Sequence, residues 1–431
     1  MSFTLAVFLG VFLLLMLGGM PIAWAMIGAT VIWMLASGEV VFLAILPDRI
    51  FQGIDVFILM AIPLFILVGE LLNTGRITER LVHVANQFFG WARGGLAQVN
   101  IGSSILFSGI TGVALGDIAA LGRIFIPSMV KHGYPSAYAA AVTASSSIIG
   151  PMVPPSLIVI IYGATTGVSI GALFAACILP GLFVGACQLA LVRLQASRRG
   201  FHPVRADRSP RALMGSAGAA AVPLMIPVII LAGILGGLMT PTEAGSVAAL
   251  YALVIALFFY RTLKVSDLFG VFSRTMGFSA KLLIIVGCGA VFSLVLAIEN
   301  VPALLQSAIH GSDLSQASTL LVANLLLLLI GMFLDPTAAI ILFAPILAGV
   351  AAEVGIDPVH FGVLMILNLN IGLLTPPLGI CLFATEEIAG CGLGPLFRET
   401  LPFLLVSLAA LVLVTYFPAL SLWLPGQMGL L

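Results

Sequence analysis

The sequence predicts an all-α polytopic membrane protein, and three observations carry that reading. The chain is 61% hydrophobic and 8% charged, with a mean hydropathy of +1.23, against about 45–50% apolar and about 25% charged residues in soluble globular domains. Apolar runs near the roughly 20 residues that cross a bilayer recur along its whole length. Two of those runs are broken, at matching places in the two halves, by prolines, a glycine and small polar residues. A net charge of +0 leaves no electrostatic footprint for nucleic acid. The first basic residue is Arg49, so no cleavable signal peptide is expected. Cys177, Cys187, Cys288, Cys381 and Cys391 lie singly in or beside apolar runs, and the five histidines are scattered. Neither a disulfide framework nor a metal cluster is expected from such spacing. No phosphate loop or H-E-x-x-H motif occurs, so the chain is not expected to be an enzyme.

In chain order, apolar periodicity predicts spans at Phe3–Leu17, Pro21–Ala36 and Val56–Leu72. Arg76–Trp91 is studded with polar residues at helical period and suits an arm lying at the interface. Gly95–Val113 and Asp117–Val130 form one pair, followed by a run at 137–162 and a span at Ala172–Arg193. A basic connector occupies 195–215 and divides a first half (1–194) from a second (216–431). The second half predicts Ala219–Leu235, Ala244–Tyr260, Ala280–Ala297, the pair Ser318–Leu334 and Pro336–Val350, then Val359–Thr385 and Leu401–Leu424.

The halves share landmarks. Asp117 and Pro127 find Asp335 and Pro345 at a shift of 218, and Gly150, Pro154 and Pro155 find Gly372, Pro376 and Pro377 at a shift of 222. The four-residue difference is expected in the loop near Ala352–Asp357, where insertions cost little. Internal repeats of this kind are a mark of transporter folds. Charge then sets direction. Placing Arg193, the connector, Arg76, Arg80, Arg93, Lys131, Arg261, Lys264, Arg274, Lys281 and Arg398 on the cytoplasmic side accounts for 15 of the 17 basic residues. With 95–130 and 318–350 as re-entrant hairpins, each half has five spans plus one hairpin, an odd number of crossings. The expected fold is therefore an inverted repeat, with both termini periplasmic. Ordinary span pairs would preserve the same sidedness, so the re-entrance of the hairpins rests on the resemblance given below and on their polar tips.

The interruptions carry the chemistry. In 137–162 the stretch Ser145-Ser146-Ser147-Ile148-Ile149-Gly150-Pro151-Met152-Val153-Pro154-Pro155 stands where a simple span would hold leucine and valine, and Asn368–Leu378 has the same grammar. Proline removes a backbone donor, and lipid supplies no water to replace the lost bond. Freed carbonyls, with Ser145, Ser146, Ser147, Asn368, Asn370 and Thr375 as neutral oxygen donors, suit a hard cation. The competing reading is a proline kink with serines bonded back to their own helix. Hairpin one carries Ser103, Ser104, Ser108, Thr111 and Asp117, and hairpin two carries Asn324, Asp335 and Thr337. Asp335 before Pro336 reads as an N-cap, and Asp117 fits the same role at the matching tip. Such tips either only cap their helices or also turn positive dipole ends toward an anion. Arg123 is the only basic residue within a predicted hairpin, and it either meets a substrate carboxylate or pairs with Glu70 or a carbonyl.

With hairpins and broken helices placed, the chain resembles the large membrane subunit of tripartite ATP-independent periplasmic (TRAP) transporters, the DctM type. Gly116-Asp117-Ile118-Ala119-Ala120-Leu121-Gly122 with Ile126-Pro127 and Ala144–Ser156 carry the likeness, together with Gly331–Thr337, Ala344-Pro345 and Asn368–Pro377. It spans essentially the whole chain. The resemblance implies an elevator of the ion transporter superfamily kind in a bacterial inner membrane, with hairpins and broken helices sliding against the other spans. It implies sodium ions at Ser103, Ser104 and the Gly150–Pro154 turn, including Val153 and Pro154, and at Thr337 and the Gly372–Thr375 turn. A small organic acid, such as a C4-dicarboxylate, is expected at Asp117, Arg123, Ser145, Ser146, Asp335, Asn368 and Asn370. Keto acids, sugar acids and sialic acid remain open as substrates. Expected partners are a soluble periplasmic binding protein and a small four-helix membrane subunit, the latter a separate polypeptide because the chain starts at the large subunit's first span. The nearest rival is a stand-alone sodium-coupled dicarboxylate or citrate carrier of a related elevator family.

Overall fold

The computed structural model describes residues 3–431 except 40, 76, 202–209, 302 and 305–314, and no strand occurs among the described residues. Arg76 and residues 202–209 of the connector, with Arg205 and Arg208, therefore lie outside the description. So do the side chains of Ser108 and Thr111, although their helical backbone is described. Seven described helices are long and apolar enough to cross a membrane.

The first half runs α1 (Phe3–Leu17), α2 (Ile22–Ser37), α3 (Phe42–Ile54), α4 (Ala61–Thr74, led by a 3-10 turn at Phe57–Met60) and α5 (Ile77–Phe89). Next come α6 (Gly95–Thr111), α7 (Ala114–Asp117), a π turn at Ile118–Gly122 and α8 (Arg123–Lys131). The broken run follows as α9 (Ser136–Ser147) and α10 (Leu157–Thr166), then α11 (Ile170–Arg199). The second half runs α12 (Pro210–Leu235), α13 (Pro241–Val254, extended by a π turn) and α14 (Val265–Ile298), then α15 (Gln316–Phe333) and α16 (Pro336–Glu353). It ends with α17 (Pro358–Gly372), α18 (Ile380–Ala389), α19 (Leu393–Tyr416) and α20 (Ala419–Gln427). Local chemistry sets several starts. Thr240 and Glu243 form a capping box ahead of Pro241, and Asp357 accepts from the N–H groups of Val359 and His360 at 2.8 and 3.2 Å.

Between apolar helices in lipid, close packing and hydrogen bonds do the work that water expulsion does elsewhere. That physics is plainest in α9. Its small residues Ala139–Ala141, Ala144 and Ser145–Ser147 let neighbours approach on every side, and Tyr138–Ser147 are all buried. Helix α17 is buried throughout Val359–Gly372. α9 packs on α6, α8, α18 and α19, and α17 packs on α11, α15, α16 and α19. These two helices form the centre, and both break at their C-terminal ends.

Contacts across the halves come in matched pairs: α2 with α14 and α4 with α13, α9 with α19 and α17 with α11. The shift between halves needs revision. Ala114 and Pro336 begin matching helices 222 residues apart, as do Ser136 and Pro358, and the hairpin starts Gly95 and Gln316 differ by 221. The shift is 219 at the starts of α2 and α13 and 223 at α3 and α14. The extra residues thus lie between α13 and α14, ahead of hairpin two, and Ala352–Asp357 is not their place. By position Val113, not Asp117, is the counterpart of Asp335.

Candidate functional site

The first break spans 148–156. Its backbone turns back on itself through Gly150 N–H to the Ser147 carbonyl (3.2 Å) and Val153 N–H to the Ile149 carbonyl (3.1 Å). The Ser156 hydroxyl donates to the Pro151 carbonyl at 2.6 Å, closing the loop ahead of α10. The second break runs from Leu373 to Gly379. Thr375 N–H reaches the Gly372 carbonyl (2.9 Å), and Cys381 N–H reaches back to Leu373 (3.2 Å). The Pro154–Pro155 and Pro376–Pro377 bonds are both cis.

Each hairpin is seated on its break. Gly112 adopts φ +59°, which suits glycine, and a methyl there would stand 2.8 Å from the Leu157 nitrogen. Gly331 and Gly372 touch backbone to backbone: a methyl at Gly372 would stand 2.5 Å from the Gly331 carbonyl carbon. A methyl at Gly150 would collide with the Asp117 carboxylate. Hydrogen bonds fix the same junctions. The Ser104 hydroxyl donates to the Ser146 oxygen at 2.8 Å, and the Asn100 amide donates to the Thr143 oxygen at 2.7 Å. In the second half the Asn368 amide donates to the side-chain oxygen of Asn324 at 2.8 Å and to its carbonyl at 3.0 Å. Asn324 in turn donates to the Thr415 hydroxyl at 3.0 Å.

Buried oxygens are left over around these junctions. The hydroxyls of Ser103 and Ser145 and the amide oxygens of Asn368 and Asn370 are buried with no hydrogen-bond partner among the described residues. Such an orphan costs about 1–3 kcal/mol. The Gly150, Val153 and Pro154 carbonyls accept no backbone bond among the described residues. These donors are neutral oxygens, with the buried Asp117 carboxylate standing beside Gly150, and the set fits a hard monovalent cation. Some hydroxyls are instead satisfied within their own helix, as the kink reading expected: Ser147 donates to Ala144 at 2.8 Å and Thr375 to Ile371 at 3.2 Å. Ser146, whose oxygen accepts from Ser104, also contacts the Thr143 carbonyl at 3.2 Å.

A cavity of about 890 Å³ opens where the two hairpin tips face the outer spans. Val113, Gly116 and Ala119 come from hairpin one, and Leu334, Asp335 and Thr337 from hairpin two. The opposite wall is α4, with Phe65, Glu70 and Asn73, and α14, with Arg274, Phe278 and Lys281. Of the sequence-predicted residues, Asp335 and Thr337 reach this cavity, whereas Ser103, Ser104, Ser145, Ser146, Asn368 and Asn370 lie buried behind the tips. Asp335 caps α16 as expected, accepting the Thr337 N–H at 2.9 Å.

Two expectations change. Asp117 is no cap: it ends the short helix α7 inside continuous helical backbone and is buried against Gly150, because the tip turns at Gly112, five residues earlier. Arg123 is exposed at the start of α8 and does not line the cavity, and Glu70 is paired with Arg274 at 2.8 Å, not with Arg123. Sequence reasoning missed Arg274 and Lys281. Their signal was the stripe 274, 277, 278, 281, 282, 285 along one helix face, all of which line the cavity.

Comparison with known proteins fits this architecture. The isethionate TRAP transporter permease DctMQ of Oleidesulfovibrio alaskensis is 36% identical over 98% of this chain, which spans 66% of that protein. The C4-dicarboxylate TRAP transporter large permease DctM of Pseudomonas aeruginosa is 38% identical over 91% of this chain and 94% of its own length. The Alcanivorax borkumensis YdaH transporter superposes with a TM-score of 0.63 over 89% of each chain at 15% identity, a likeness of fold alone. The sequence profile of the DctM component of tripartite ATP-independent periplasmic transporters matches residues 9–420. This chain belongs to that family and is a polytopic transporter permease component, not an enzyme.

Proposed function

We propose that the protein is the large membrane subunit of a sodium-coupled importer for a small organic acid in a bacterial inner membrane. The observation that carries this is the seating of each hairpin on its own broken helix, at Gly112 on Leu157 and at Gly331 on Gly372, with orphaned neutral oxygens beside both junctions. Two such junctions joined by a cavity give a place for cations behind the tips and for an anion in front of them. The matched contacts across the halves support an inverted repeat, in which one hairpin enters from each side of the membrane. The cavity opens beside Arg274 and Lys281, which the charge rule puts on the cytoplasmic side, and this supports reading the conformation as inward-facing. Hairpins and broken helices move together as the elevator, carrying sodium and substrate past the wall of α4 and α14.

Two coupled cations with a monovalent acid move one net charge inward, and one charge moved through 100 mV releases about 2.3 kcal/mol; with a dicarboxylate dianion they move none, and the sodium gradient alone drives accumulation. The substrate class follows from relatives that are named for C4-dicarboxylate and isethionate, both small anions. The partners are a periplasmic binding protein that delivers the acid and a small membrane subunit that supports the outer spans. Reconstitution tests this directly: in proteoliposomes, uptake of labelled succinate or isethionate requires the small subunit and the loaded binding protein. Transport by the purified chain alone would defeat the tripartite reading in favour of a stand-alone carrier.

A further inference from the structure

The cavity wall formed by α14 presents two cations, and they are not equivalent. The Arg274 guanidinium is held by the Glu70 carboxylate at 2.8 Å and by the Thr74 hydroxyl at 2.9 Å, so its charge is already answered. Lys281 lies two helical turns further on the same face, lines the same cavity, and makes no ion pair or hydrogen bond among the described residues. Across the cavity stand Thr337 and the half-buried Asp335, whose carboxylate accepts the Thr337 N–H. Phe65, Phe278 and Leu282 make much of that wall apolar and Asn73 is neutral, which leaves Lys281 as its one uncommitted cation among the described residues.

We propose that Lys281 is the release-side contact for the substrate's anionic group, a specificity-determining residue on the wall that does not travel with the hairpins. The inference rests on the inward-facing reading above. A carboxylate or sulfonate carried on the hairpin tips meets an unpaired ammonium only when the tips stand opposite α14. The contact exists at one end of the transport cycle and not at the other. It gives the inward-facing cavity a preference for anions over neutral analogues of the same size.

The test uses the complete reconstituted complex and whichever of succinate or isethionate the wild type takes up. Substrate preloaded into the vesicle lumen inhibits further uptake, and the half-inhibiting lumenal concentration reads affinity on the release side. Lys281→Gln raises that concentration about tenfold, equal to about 1.4 kcal/mol, with a smaller change in the outer KM. Lys281→Glu raises it further, and Lys281→Arg restores it. The orientation of the complex in the vesicles is checked by protease access to the 195–215 connector. A wild-type lumenal constant in Lys281→Gln overturns the proposal, whatever happens outside. Loss of sodium dependence in the wild-type complex would instead overturn the transport reading itself.

Discussion

Gly372 and Gly331 meet backbone to backbone, where no side chain fits. Gly372→Val drives two methyl groups into the Gly331 backbone, which has no flexible end to yield. Sodium-driven uptake should fall below about a tenth of wild type while the protein still inserts and purifies, and wild-type rates would remove the second break from the ion path. Asn368 is a different kind of residue, because it donates twice to Asn324 and both are tied on to Thr415. Asn368→Leu leaves the side-chain oxygen of half-buried Asn324 without its donor, at about 1–3 kcal/mol. Thermal unfolding in detergent should register the loss as a lower midpoint, and an unchanged midpoint would show that water already serves the site. Arg123 supplies the contrast: it is exposed and lines no part of the cavity, so Arg123→Ala should leave the substrate titration within about twofold.

At the level of elements, most helices were legible because a lipid-facing helix must be apolar along its whole length, and α1, α2, α4, α11 and α19 say so in sequence. Both broken runs were legible for the opposite reason, since Gly150–Pro155 and Gly372–Pro377 violate that requirement in register. Helix α3 was not. Pro47, Asp48 and Arg49 interrupt its apolar pattern, and it is stabilised by lying along α14, a contact no local pattern announces. The start of α14 was missed similarly, with Phe269 and Met276 exposed on a stretch that is half polar. The tip of hairpin one misled because Asp117 and Asp335 look equivalent by spacing. The turn is set by the positive φ of Gly112, and a shift of 222 pairs Gly331 with Gly109 and Asp335 with Val113. Gly112→Val therefore tests the seating of that hairpin. It forces a strained φ as well as a contact with Leu157, so it should expose the 108–117 tip to protease while α9 and α17 stay protected from hydrogen exchange.

Taken whole, the molecule is two matched halves whose centres, α9 and α17, are buried on every side and end in open backbone. A centre that rigid cannot rearrange piecemeal, so a cation bound at either break would be felt by the hairpin seated on it and by the cavity both tips face. The proposed function rests on coupling between sodium and the anion through these two junctions. Its most direct measurement is the initial rate of labelled substrate uptake by the reconstituted complex as the outside sodium concentration is varied at fixed membrane potential. Uptake should depend sigmoidally on sodium, and Gly150→Val and Gly372→Val should each reduce it to a baseline. Uptake at the same rate with sodium replaced by potassium on both sides would contradict that coupling.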